Sequence, residues 1–226
     1  RPLDGLEISL ERTAQWCGEG RSCNWDDFWN LWSGNDNAGE NVAAEDEPGN
    51  QLAGWDIRWA SPIGDWNYAL YNQHTGESID NQIPRPFRSM DLAGLETWGG
   101  SAADGSSWRA GIEWANTRCG GTEDGLKLWD CAYNNGIFNV EGYRSRGRPL
   151  GHSMDGDGDT WGLRYVRVGA SAGTFTALAR FTKVNEGGGV PDTNHSVAPG
   201  PEDWWSLDLI YRRALGSGWV EASAGG

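Results

Sequence analysis

Polar and apolar residues alternate with period two along nearly the whole of this 226-residue chain, and helical periodicity is almost absent. Leu6, Ile8 and Leu10 alternate with Glu7, Ser9 and Glu11, and Ala53, Trp55, Ile57 and Trp59 alternate with Gly54, Asp56 and Arg58. Trp66, Tyr68 and Leu70 share a face, and Met90, Leu92 and Gly94 form a weaker run. Trp108, Ala110, Ile112 and Trp114 then alternate with Arg109, Gly111 and Glu113. Trp161, Leu163 and Tyr165 follow, then Phe175, Ala177, Ala179 and Phe181, then Trp205, Leu207, Leu209 and Tyr211. With a last strand starting at Trp219, the pattern predicts about nine strands, each apolar on one face and polar or charged on the other.

Connection lengths alternate as regularly as the strands. Cys17–Gly49, Thr75–Phe87, Arg118–Asp159 and Asn185–Asp203 are long, whereas Ser61–Asp65, Gly99–Ser107, Gly169–Ala172 and Arg213–Gly218 are short. In an antiparallel meander this puts every long loop at one end. A water-soluble sandwich has no reason for that; an outer-membrane β-barrel, with short periplasmic turns and long extracellular loops, has. Aromatics near strand ends (Trp66, Trp98, Trp108, Trp161, Trp205, Trp219) are placed as interfacial girdles would be. Lipid forces such a sheet to close, and single-chain bacterial barrels close with an even strand number. The expected fold is therefore an all-β transmembrane barrel, with residues 1–226 forming part of a larger one. A soluble Trp-rich sandwich is the alternative.

One segment breaks the period of two. Trp25, Phe28, Trp29 and Trp32 share a helical face, with Asn24 or Asp26 as the N-cap and Gly34 as the stop. This short amphipathic helix inside the first long loop could fold into the barrel mouth. Its aromatics either pack the loop, the simpler reading, or stack on sugar rings, for which Trp29 and Trp32 are the candidates.

The net charge of −14 argues against nucleic acid, which needs a basic face. There is no apolar run of about twenty residues to make a transmembrane helix, and no secretory signal peptide is visible. The chain begins at Arg1, which suggests a missing or processed N-terminus. Cys17 with Cys23 and Cys119 with Cys131 lack zinc spacing and read as two short-range disulfides of an oxidising compartment.

The chemistry concentrates in Glu141–Trp161, EGYRSRGRPLGHSMDGDGDTW, where glycines and Pro149 make regular structure implausible. Asp155, Asp157 and Asp159 begin like a calcium loop, but Thr160 stands where the sharp-turn glycine belongs and Val166 where the bidentate Glu belongs. Pairing of these aspartates with Arg144, Arg146 and Arg148 is the better reading, and arginines facing an acidic ligand are the third. Glu19 and Glu113 could be nominated for glycoside hydrolysis, yet no nucleophile elbow, zinc-protease or phosphate-loop motif occurs, and His74, His152 and His195 are widely separated. No enzyme and no cofactor are expected. The charges predicted for the polar face, Glu7, Glu11, Asp56, Arg58, Arg109, Glu113, Arg164, Arg180, Asp208 and Arg212, could line a pore or a salt-bridged, plugged interior.

Four ordered segments resemble a known family. Arg12-Thr-Ala-Gln-Trp16 with Gly18-Glu-Gly-Arg21 resembles the RTAQW-x-GEGR signature of the capsule-assembly Wzi family, and Pro48 to Trp55 resembles its EPGNQLAG segment. Tyr71-Asn-Gln73 with Gly76-Glu77 is similar to its YxQxxGED element, although Ser78 replaces the final acid. Gly142 to His152 resembles GYRYRGRPLGH, with Ser145 in place of an aromatic. The resemblance implies a roughly eighteen-stranded outer-membrane lectin that holds capsular polysaccharide at the cell surface, of which this chain would be the C-terminal half, lacking an N-terminal helical part. Arg12, Glu19, Arg21, Tyr143, Arg144, Arg146, Arg148 and His152 are then expected to line the extracellular mouth, some organising loops and some touching an acidic sugar polymer. A porin or transport channel for sugars or small solutes is the runner-up.

Overall fold

The computed structural model describes residues 3–14, 16–17, 23–33, 51–61, 64, 66–77, 89–118, 121–123, 126–128, 144–145, 148–171, 173–186 and 197–226. Of residues 51, 77, 121–123, 126–128, 144–145 and 148–149 it describes the backbone alone. In chain order the elements are β1 (Leu6–Ala14), α1 (Trp25–Ser33), β2 (Gln51–Ala60), β3 (Tyr68–Glu77), β4 (Ser89–Ser101) and β5 (Ser106–Asn116). The small strands β6 (Gly121–Glu123), β7 (Leu126–Leu128), β8 (Arg144–Ser145) and β9 (Arg148–Pro149) follow. Then come β10 (Gly158–Gly169), β11 (Gly173–Val184), β12 (Glu202–Leu215) and β13 (Gly218–Gly225).

The nine long strands form one antiparallel sheet in the order β1-β2-β3-β4-β5-β10-β11-β12-β13, so each pairs with its neighbours in sequence. The sheet is open, with β1 and β13 at its edges. All nine expected strands are present. The four short connections lie at one end and the four long ones at the other, because direction reverses at every step. The register shows what alternation accomplishes. Trp114 faces Trp161, Trp161 faces Phe181, and Phe181 faces Trp205, making an aromatic row near the long-connection end. Within it the Phe181 and Trp205 rings lie 4.4 Å apart. Below it run Ile112, Leu163, Ala179 and Leu207, then Ala110, Tyr165, Ala177 and Leu209. Phe175 and Tyr211, with Trp108 two strands away, close the band near the short turns.

This apolar face is exposed across the sheet: Leu10 is 84% exposed and Trp205 76%, with Ile8, Leu163, Leu207 and Leu95 also open. An apolar area of that extent calls for a partner. The aromatic residues sort by register. Trp108, Trp161 and Trp205 are on this face as expected, joined by Trp55, Trp59 and Trp114. Trp98 pairs with Arg109 and Trp219 packs under the Arg212 guanidinium at 4.7 Å, so both are on the polar face. Trp66 lies outside the strands, where its carbonyl accepts the Ser61 hydroxyl at 2.9 Å. Single-residue parity, which a girdle reading by position overlooks, decides this.

On the opposite face, side chains are joined across an intervening strand wherever that strand offers a small residue. Arg58 in β2 reaches Glu96 in β4 at 2.5 Å, and the fully buried Ala69 stands opposite Glu96 in β3. Glu11 accepts from Thr75 Oγ1 at 3.0 Å, with Gly54 between them. Tyr71 donates its hydroxyl to Glu113 at 2.9 Å, two strands away, by lying over Gly94. A β-carbon at Gly94 would collide with the Tyr71 ring. Gly94→Val is therefore expected to displace Tyr71, break the Tyr71–Glu113 hydrogen bond and cost about 1–3 kcal/mol through overpacking. Equilibrium denaturation of the variant beside Tyr71→Phe measures it; a Gly94→Val protein as stable as the parent would refute the overlay.

Candidate functional site

The long-connection end is assembled around Thr117, just past β5. Its amide donates to the Gly158 carbonyl at 2.8 Å, and its carbonyl accepts from the Asp157 amide at 3.3 Å. Its hydroxyl donates to the Asp155 carbonyl at 2.6 Å and accepts from the Gly158 amide at 3.0 Å. From the other side the Asn185 amide, just past β11, donates to the Asp157 carbonyl at 2.9 Å. The Asn185 side-chain amide also ties down the Ala198 carbonyl at 3.1 Å. Residues 154–158 are all buried, and Met154 packs with Ala115, Val184, Ala198 and Leu92 in the described apolar core.

The D-G-D-G-D run is thus a compact turn whose backbone polar groups are met by Thr117 and Asn185. Asp155 and Asp157 adopt left-handed backbone conformations (φ 67° and 51°), which aspartate tolerates better than most residues. The carboxylate of Asp155 accepts from the Gly156 amide at 2.8 Å. Asp159 opens β10 and turns to the apolar-face side, accepting from Trp114 Nε1 at 3.1 Å and Asn116 Nδ2 at 3.0 Å. Among the described residues no three His, Cys, Asp or Glu side chains form a group that could hold a metal ion, the three aspartates included.

The segment Glu141–Trp161 also holds more regular structure than its glycines and proline suggest. Arg144 pairs with Pro149 and Ser145 with Arg148 in a two-rung antiparallel ladder, and Gly158 to Trp161 belong to β10. The ladder sets Arg144 and Arg148 on two facing arms, while Arg146, Glu19, Arg21, Tyr143, Cys119 and Cys131 lie outside the described residues. Cys17 and Cys23 form the expected disulfide, with their α-carbons 4.9 Å apart.

α1 occupies the span its spacing predicts. Asn24 is the N-cap: its side-chain oxygen accepts from the Asp27 amide at 2.8 Å, and Asp26 and Asp27 complement the dipole in the first turn. No basic residue lies in the last turn. Arg12 supplies that charge from β1, donating to the Leu31 carbonyl and, at 2.7 Å, to the Trp32 carbonyl. Arg12 is thereby a loop organiser. It shares a face with Leu6, Ile8 and Leu10, so it ties the helix to the end of β1 on the apolar-face side. Phe28 and Leu31 turn inward, Phe28 against Trp16 at 5.3 Å, while Trp25, Trp29 and Trp32 stay open (Trp32 69% exposed).

Below the Thr117 turn, the polar face encloses a cavity of about 820 Å³. His152 and Ser153 hang over it from the loop, and Tyr71, Glu96, Arg109, Glu113, Arg164 and Arg180 line it from the strands. Of the polysaccharide-binding candidates, His152 is the one placed at this cavity among the described residues, and Glu113, the hydrolysis nominee, lines it too. The strand charges were legible as lumen-facing, and the register puts all ten on the polar face. That Thr117 and Asn185 hold the loop was not, since lone polar residues after strands carry no motif.

His152 accepts from the Met154 amide through Nδ1 at 3.3 Å. Burial pushes its pKa below the usual imidazole range, and the Glu113 carboxylate offsets this in part. The folded loop thus favours neutral His152. Its contribution to stability is complete above the ordinary imidazole pKa, near 6.5, and is lost as pH falls from there through the lowered folded value. Protection factors of the Gly156 and Asp157 amides, corrected for intrinsic base catalysis, are expected to fall on acidification in this window, and His152→Gln should flatten the step. Thr117→Val, which strands the Asp155 carbonyl and the Gly158 amide, should destabilise the turn by about 1–3 kcal/mol, whereas Thr117→Ser retains it. Exchange rates at Asp157 and Gly158 measure both.

Comparison with known proteins bears on the whole arrangement. The family model for capsule assembly protein Wzi matches residues 1–225. An uncharacterized 55.8 kDa protein in the cps region of Klebsiella pneumoniae is 30% identical over 185 residues, which is 81% of this chain and 34% of that protein. The solved structure of Wzi, an outer membrane protein involved in group 1 capsule assembly in Escherichia coli and described as a carbohydrate-binding β-barrel, matches with a TM-score of 0.74 at 22% identity. That match covers 100% of this chain and 46% of the other, and at this identity it shows the fold alone. The chain spans less than half the length of either relative.

Proposed function

For a chain that belongs to the capsule assembly protein Wzi family, we propose a role as part of an outer-membrane β-barrel lectin that binds capsular polysaccharide and holds it at the cell surface. The observation that carries this reading is the opposition of the two faces together with loops at one end only. The exposed apolar face, banded by aromatic rows, suits lipid, and the strand lengths of 8 to 14 residues are sufficient to cross it. The Arg144–Arg148 hairpin, the open indoles of α1 and the Thr117-pinned turn then belong to the extracellular side. Trp29 and Trp32 offer ring faces for sugar C–H faces. Arginines suit the carboxylates of an acidic polymer, which a chain of net charge −14 would otherwise repel. His152, Ser153 and Met154 of the long loop line the cavity on the polar face, which favours a plugged lectin over a conducting pore.

The test is retention of an acidic capsular polysaccharide by the full-length detergent-purified protein. Replacing Arg144, Arg146 and Arg148 together by Ala should weaken saturable binding about ten-fold or more while barrel insertion is unchanged. Unaltered retention by a correctly inserted variant would remove the hairpin from the site. No binding by the parent, with large steady openings in planar bilayers, would favour the channel instead.

A further inference from the structure

The polar face carries a charge imbalance that its own strands do not resolve. Glu96 is engaged on both oxygens, by Arg58 at 2.5 Å and by Arg109 Nε at 2.8 Å. Glu113 accepts the Tyr71 hydroxyl. Arg164 faces Gly111, with Glu96 on the far side of that glycine, and Arg180 faces Gly162, with Glu113 beyond. Small residues in those places connect side chains elsewhere on this face, as at Gly54 and Gly94. Here Glu96 is saturated by two arginines, and Glu113, which keeps its charge because Tyr71 is a neutral donor, makes no ion pair with Arg180 among the described residues. Among the described residues, Arg164 and Arg180 have no hydrogen-bond or ion-pair partner, in contrast to Arg12, Arg58, Arg109, Arg118, Arg167 and Arg212. Arg213 is the other exception, and it stands on the apolar face at the short-turn end, away from the cavity. Asp208 is separated from Arg164 by the bulkier Leu178 and is not among the cavity's lining residues.

Arg164 stands opposite Leu178, two residues from Arg180 on the same strand face, so the two are diagonal neighbours with α-carbons about 7–8 Å apart. Two like charges at that separation destabilise each other, the more so against a low-dielectric wall. An anion between them removes the cost. The cavity they line, about 820 Å³, is of the size that holds a small ligand, and it also presents the Ser153, Thr176 and Ser206 side chains and the Trp204 ring. From these observations we propose a second, lumenal subsite, distinct from the loop hairpin, in which Arg164 and Arg180 bind the carboxylate of a uronic-acid unit. The hydroxyl side chains meet the sugar's own hydroxyls, and His152 and Ser153 close the site from above. The proposal rests on the polysaccharide-binding reading and specifies it: the chain discriminates acidic from neutral glycans inside the barrel as well as at the loops.

The experiment uses the full-length protein in detergent and a short oligogalacturonate, with its carboxyl-reduced neutral counterpart as the second probe. The parent is expected to bind the acidic oligomer about ten-fold more tightly than the neutral one, with affinity falling as salt rises. Measured in the Arg144→Ala/Arg146→Ala/Arg148→Ala background, which removes the loop arginines, R164Q/R180Q should abolish the remaining preference. R164K/R180K, which keeps both charges, should retain it and so controls for folding. Equal affinity of the parent for both, or an acidic preference that the folded double variant retains, overturns the subsite and leaves carbohydrate binding intact. No binding of either oligomer or of capsular polysaccharide overturns the subsite together with the reading on which it rests.

Discussion

A backbone amide or carbonyl withdrawn from water must find a partner, and in a sheet that partner lies on the next strand. That constraint orders the rest of this structure. Pairing each strand with its sequence neighbour is the economical way to satisfy it, and doing so fixes the alternating direction that sends all long connections to one end. It also commits one residue in two to each solvent, so the apolar face from Ile8 to Leu209 and the charged face from Glu11 to Arg212 are made by the same act of pairing. The long strands contribute little apolar core: the described buried apolar residues are few, and the Met154–Ala115–Val184–Ala198 group sits where loops meet strand ends.

The polar face follows from the same geometry. Neighbouring strands lie about 4.8 Å apart, so a side chain reaching two strands away must pass over whatever lies between. Gly54, Ala69 and Gly94 leave that passage open, and Glu11–Thr75, Arg58–Glu96 and Tyr71–Glu113 use it. Such bridges tie three strands with one contact and make the inner wall stiff. Glycine, a weak strand former, is here the condition for cross-linking.

Where period two ruled, the sequence was readable: nine strands, their faces and the charges of the inner wall all followed from alternation. α1 was equally plain, because Asn24, the four aromatics and a stop signal agree. What failed was whatever depended on parity at a single position or on contacts far apart in sequence. Trp98 and Trp219 look like girdle residues by location, yet one residue of parity turns each inward. The turn made by D-G-D-G-D is fastened to Thr117 and Asn185, some 38 and 30 residues from Asp155. No local pattern announces a hydroxyl that serves a turn so distant. Of the site residues, Arg12 became an anchor for α1 and His152 a cavity residue, both through partners that sequence spacing does not reveal.

Net charge is a poor guide to what such a wall attracts. A charge of −14 spread over the molecule acts at the surface, where salt screens it within about 8–10 Å. Inside a cavity walled by the sheet and lined by His152, Ser153 and Met154, the relevant quantity is the local remainder after pairing. Glu96 and Glu113 both keep their negative charge there, Tyr71 being a neutral donor, against the cations Arg58, Arg109, Arg164 and Arg180, so that remainder is cationic. The charge such a wall presents is therefore decided by local pairing and not by the total.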